Sequence, residues 1–203
     1  MARQARRGRL STPTVARGLG VALAVNEIDW YAYRVAGEGL RFPTVLPLNL
    51  CDLVLWLTVA AAPFGSAALF ELAYFAGIAG SSMALLTPDL SEPRDWYGTL
   101  HYFSSHGGIV VTLLVLLWTG LHRPRPNTQW RSLAILAGFA AAVGAFNVTF
   151  DTNYMYLCRK PRNPSLLDYM GPWPWYIAAG SAAAGLLFWL LALPFRRQAP
   201  GEW

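Results

Sequence analysis

Cysteine, histidine, carboxylates and clustered cations are the residues of this chain that could do chemistry, and their spacing is informative. In Leu46-Pro47-Leu48-Asn49-Leu50-Cys51-Asp52, a proline suited to a first helical turn sets Cys51 roughly one turn inside a helix N-terminus. Unpaired amides and the helix dipole there favour a thiolate, so Cys51 reads as a nucleophile, or else as a small packed residue. Ser104-Ser105-His106-Gly107-Gly108 supplies an imidazole within an apolar stretch. His106 would act as general base toward the thiol if the two helices touch, and otherwise serves as a hydrogen-bonded structural histidine. Gly107 and Gly108 would let a neighbouring helix come close. His101, five positions earlier, falls on a different face and is not expected to duplicate that role; His122 lies at the far end and reads as interfacial.

Asn147, Asp151 and Tyr154 are spaced i, i+4, i+7, which predicts one polar helix face, with Asn153 on the adjoining face. Such a face would orient a histidine, bind a polar head group, or make interhelical hydrogen bonds worth about 0.6 to 2 kcal/mol each. Arg159, Lys160 and Arg162 follow within Cys158-Arg159-Lys160-Pro161-Arg162-Asn163-Pro164-Ser165. They read as a phospholipid head-group site, or as a solvated loop near anionic lipid. Asn26 and Asp29 share a face and can join a polar interior, Glu27 lies beside them, and Glu71 has no evident role.

The elements that must position these groups are apolar. Of 203 residues, 55% are hydrophobic and only 13% charged, a balance that excludes an ordinary water-soluble domain. A crossing helix needs about 20 mostly apolar residues. Segments at about 48–62, 66–87, 101–121, 130–154 and 172–194 approach or meet that length. The segment 14–36 carries Asn26, Glu27, Asp29 and Arg34 and either crosses or lies along the interface. Pro63-Phe64-Gly65, Pro88, Pro124, Pro126, Pro172 and Pro174 punctuate the segments, and no soluble domain fits between them. The expectation is an all-α polytopic transmembrane bundle of about six helices over 13–194, with a basic cytoplasmic tail at 1–12 and a C-terminal tail at 195–203.

Net charge of +5 forms no continuous basic stripe, which excludes nucleic acid as partner. Arg3, Arg6, Arg7 and Arg9 before Ala22-Leu23-Ala24 imitate a secretory signal, but the charged leader is long and its apolar core short. Cys51 and Cys158 make no disulfide framework, though a single bridge between them stays open. The three histidines and two cysteines lack metal-ligand spacing, and haem, flavin or nucleotide have no signal; no cofactor and no soluble protein partner are expected.

With six crossings, both termini and the loops 63–65 and 122–129 share side A, while 38–46, 88–100 and 157–171 share side B. Arg3, Arg6, Arg7, Arg9, Arg17, Arg123, Arg125, Arg131, Arg196 and Arg197 then face side A, against Arg41, Arg94, Arg159, Lys160 and Arg162 on side B. That excess places side A and the termini in the cytoplasm of a plasma-membrane protein. Cys51, the start of the His106 segment and the end of the Asn147 segment all approach side B. Trp96, Trp173 and Trp175 there, and Trp130 opposite, suit interfacial belts.

Leu46-Pro47-Leu48-Asn49-Leu50-Cys51, Ser105-His106-Gly107 and Asn153-Tyr154-Met155-Tyr156-Leu157 with Lys160-Pro161 occur in order, followed by Asn163-Pro164-Ser165-Leu166-Leu167-Asp168 and Gly171-Pro172-Trp173-Pro174-Trp175-Tyr176. From about Asn26 to Tyr176 these strings resemble the bacterial YwaF family, related to animal transmembrane protein 164. The resemblance implies a membrane acyltransferase of ether-phospholipid synthesis whose cysteine nucleophile and histidine fall on Cys51 and His106. Asn49 stands where the family often has histidine, and the chain is expected to begin after the family's usual first helix. The resulting expectation is an acyltransferase with Cys51, His106 and Asp151 as catalytic residues. Asn49, Asn147, Asn153, Tyr154, Arg159, Lys160 and Arg162 would bind substrate, and membrane phospholipid would be the partner. A small-solute or lipid transporter, or a lipid-binding protein without catalysis, is the other reading.

Overall fold

The computed structural model describes residues 11–89, 96–162 and 164–196. Most of the basic tail, Arg94, Asn163 and the end of the C-terminal tail, Arg197 included, lie outside the described residues. Six α-helices and no strand occur among the described residues: α1 (Thr12–Glu38), α2 (Leu50–Phe64), α3 (Ala67–Leu86), α4 (Trp96–Trp118), α5 (Thr128–Phe150) and α6 (Trp175–Ala192). The chain is an all-helical membrane bundle. α3, α4, α5 and the span Trp175–Phe195 are long and apolar enough to cross a membrane.

The expected boundaries shift for identifiable reasons. α2 begins at Leu50 rather than near 48, because Asn49 caps it and leaves Pro47 before the helix. At 15 residues it is about 22 Å long, shorter than a bilayer core. α1 runs longer than 14–36, and a proline in its first turn starts it at Thr12. α5 stops at Phe150, because Asp151 takes a left-handed conformation and caps it. The alignment of Asn147, Asp151 and Tyr154 on one helix face is therefore not what forms; Tyr154 belongs to a short 3-10 turn, Tyr154–Tyr156.

α1 to α4 close a ring in which each helix packs on the next and α4 returns to α1, while α5 and α6 pack on α3 and on each other. Phe70, Phe75, Val54, Leu55, Ile109, Leu113 and Leu116 are buried at its centre. The ring closes tightly at glycines. A Cβ on Gly77 would lie 2.6 Å from Leu113, 3.0 Å from Val54 and 3.1 Å from Ile109, and one on Gly108 would lie 2.7 Å from Leu23. Gly107 meets nothing within 4 Å. Leu86, Val111, Val148 and Leu186 face outward, as lipid contact requires, and Trp96, Trp130, Trp173 and Trp175 are exposed near helix ends.

Candidate functional site

The site is built on the N-terminus of α2. The Asn49 side chain accepts from the Asp52 backbone N–H, and the Asn49 N–H donates to Asp52 Oδ2 at 3.0 Å, a reciprocal capping box. Cys51 is thus the second helical residue, nearer the positive end of the dipole than its distance from Pro47 predicts. Its thiol donates to Asp52 Oδ1 at 3.8 Å. Asn49 Oδ1 also accepts the Met155 N–H at 3.3 Å, which ties the cap to the segment after α5.

His106 is buried in α4. Its Nδ1 lies 2.8 Å from the Tyr102 carbonyl, and its ring packs on that tyrosine at 4.3 Å. A carbonyl only accepts, so Nδ1 carries the proton and, in the neutral ring, Nε2 carries the lone pair. Tyr102 is itself held by its hydroxyl, which donates to the Ala84 carbonyl of α3 at 3.0 Å. Val54 and Ile109 converge on Gly77. Cys51 and His106 each precede those residues by three positions on helices running the same way, so the two positions share a depth, about 4.5 Å from that convergence toward side B.

A second histidine borders this region. Glu27, only 2% exposed, sets Oε2 3.6 Å from His101 Nε2. Asn26 Nδ2 donates to Ser105 Oγ at 2.8 Å and lies 3.2 Å from His101 Nδ1, while Ser104 donates to Asn26 Oδ1 at 3.0 Å. Trp30 stacks on the His101 ring at 4.5 Å and 9°. His101 does lie on a different face of α4 from His106, but that face meets the buried carboxylate of α1.

Asp151 is elsewhere. Its side chain is 98% exposed, 4.0 Å from Arg159, so it does not orient His106; the carboxylate beside Cys51 is Asp52. Asn147, fully buried, is occupied by the turn that follows α5. Its Nδ2 donates to the Tyr154 carbonyl at 2.9 Å, and its Oδ1 accepts from Thr152 Oγ1 at 2.8 Å and the Tyr154 N–H at 2.9 Å. Tyr154 donates its hydroxyl to the Pro43 carbonyl at 2.8 Å. Asn153 folds the next loop, accepting from the Cys158 and Arg159 amides at 3.0 Å and donating to the Arg159 carbonyl at 2.8 Å. Lys160 turns back to Asp168 at 3.6 Å and lies over the Tyr176 ring, whereas Arg159 and Arg162 are exposed. Both cysteines are free thiols. The asparagines thus shape the frame around Cys51 rather than lining one polar face.

Glu71 also finds its role, on side A. Arg125 grips it with Nε at 2.7 Å, Nη2 at 2.9 Å and its backbone N–H at 3.0 Å, which pins the α4–α5 loop to α3. What sequence reasoning missed is the Glu27–His101 pair. Its signal was an acidic residue inside an otherwise apolar segment, a position that demands a partner.

The TMEM164 family matches the chain over residues 1–192, which bears out the relation to transmembrane protein 164 read from the motifs. No curated protein and no solved structure matches the chain.

Proposed function

Because the chain belongs to the TMEM164 family, we propose that it is an integral membrane acyltransferase acting on phospholipid or lysophospholipid, with Cys51 as nucleophile and His106 as base. The observation that carries this reading is the shared depth of the Cys51 and His106 positions on two helices that run the same way, with the imidazole lone pair on Nε2. His106 Nε2 takes the thiol proton as the sulfur attacks an acyl ester carbonyl. The C–O bond breaks, the departing alkoxide takes the proton back from the imidazolium, and a thioester remains on Cys51. A lysolipid hydroxyl, deprotonated by the same ring, then attacks the thioester and releases the thiol. Asp52, beside the sulfur, and Asn49, which holds Asp52, keep the nucleophile in place. Arg159 and Arg162, exposed at side B, suit the lipid phosphate.

The family and the apolar helices support a multi-pass membrane protein, and the excess of side-A arginines is the ground for placing its termini in the cytoplasm, with the plasma membrane as the proposed location. Membrane phospholipid is both substrate and surroundings. An acyl-mimicking electrophile applied to native membranes tests the reading. Labelling concentrated on Cys51 and suppressed by added phospholipid is the expected result. Equally weak labelling of Cys51 and Cys158 would overturn it in favour of a lipid-binding protein without catalysis.

A further inference from the structure

An aromatic groove between α1 and α4 takes no part in this chemistry. Asp29, Ala32, Tyr33 and Ala36 of α1 face Trp96 and Tyr97 of α4 around an open space of about 460 Å³. The two alanines leave room, and the rings make the walls. Tyr33 and Tyr97 meet edge to face at 4.8 Å, Trp96 and Tyr97 at 5.8 Å, and Trp30 stacks behind Tyr33 at 5.8 Å. Among the described residues lining the groove, Asp29 is the carboxylate; it stands at the edge and accepts the Tyr97 hydroxyl.

Ring faces attract cations that do not hold water tightly, and an added carboxylate completes the charge match. Neither feature suits a phosphate or a neutral glycerol. The groove opens at the side-B end of the bundle, where Trp96 is 77% exposed and Tyr33 47% exposed, among the tryptophans of the interfacial belt. A ligand there meets the head-group layer before it meets water. Trp30 continues the ladder inward to His101, one turn of α4 beyond Tyr97. From these observations we infer that the groove of Asp29, Tyr33, Trp96 and Tyr97 holds the ammonium head of a zwitterionic phospholipid, directing the rest of that lipid toward the buried site. The inference rests on the proposed function only in taking a phospholipid as ligand.

The test reads binding without turnover. Full-length Cys51→Ala protein is placed in mixed micelles of equimolar phosphatidylcholine and phosphatidylglycerol, and retained lipid is counted by native mass spectrometry. Phosphatidylcholine is expected to be enriched about tenfold, in keeping with the strength of a partly desolvated cation–π contact. Asp29→Asn keeps an acceptor for Tyr97 and removes only the charge; Trp96→Ala removes an exposed wall. Each should bring the ratio close to one. No enrichment in the parent protein, or enrichment unchanged in both variants, overturns the proposal. Full displacement of the lipid by free choline at millimolar concentration overturns it too, since the ligand would then be a soluble ammonium compound. Because the protein lacks the thiol, failure here leaves Cys51 labelling untouched, and an inert Cys51 leaves lipid selection intact.

Discussion

Glu27 Oε2 stands 3.6 Å from His101 Nε2, beneath the Trp30 ring, so the acidic group buried in α1 is answered by a base on α4. A carboxylate 2% exposed inside an apolar bundle cannot stay without a partner at low cost. Glu27→Ala should therefore weaken the α1–α4 contact by about 1 to 3 kcal/mol, while Glu27→Gln, which keeps a polar oxygen, should cost less. Unfolding of detergent-purified protein by increasing SDS measures both; stability equal to wild type in the alanine variant would show that the pair carries no weight.

The thiol and the imidazole make different demands on the reaction. Cys51→Ala removes the atom that becomes acylated and should abolish transfer, whereas His106→Ala removes the base and should slow it by about 10² to 10⁴. Cys158→Ala changes a free thiol outside the site and should leave the rate at the wild-type value. Lipidomics of membranes holding each variant gives the answer, with insertion checked separately. Full turnover by both Cys51→Ala and His106→Ala would remove the mechanism.

Much of this arrangement was legible in the sequence, since hydropathy placed the segments and a common end of the bundle for Cys51 and His106. The errors have local causes. Asn49 and Asp52 satisfy each other's backbone partners, so α2 starts at the cap and not at the proline. Asp151 turns left-handed and ends α5, so a spacing of i, i+4, i+7 never became a helix face. A periodicity argument presumes that the helix continues, and a single residue of positive φ invalidates it. Glu27 and His101 escaped because their pairing depends on which helices become neighbours, a property of the ring that no one segment reveals.

Asn147 fixes the turn that brings Met155 to Asn49, and all its side-chain bonds are buried. Asn147→Ala leaves the Tyr154 amide and carbonyl and the Thr152 hydroxyl without it, at about 1 to 3 kcal/mol for each group left unsatisfied. Amide hydrogen exchange across 152–155 should accelerate well beyond that of α3. Unchanged protection there would mean that the turn is held by other contacts.

His122 offers a pH-dependent test at the opposite side. Burial holds its imidazole below the usual value of 6.5, against a smaller opposing effect of the Ala61 backbone, and its ring stacks on Phe70 at 5.1 Å. The folded protein thus binds this proton less readily than the unfolded chain. The stability it contributes is complete above the unfolded value and declines as pH falls through the folded one. Thermal midpoints of the purified protein should drop as pH is lowered from about 7.5 toward 5, below the histidine range. His122→Phe keeps a ring against Phe70 but has no proton to gain, so its midpoint should fall less over the same interval. Parallel slopes for the two proteins would assign the acid sensitivity to other groups.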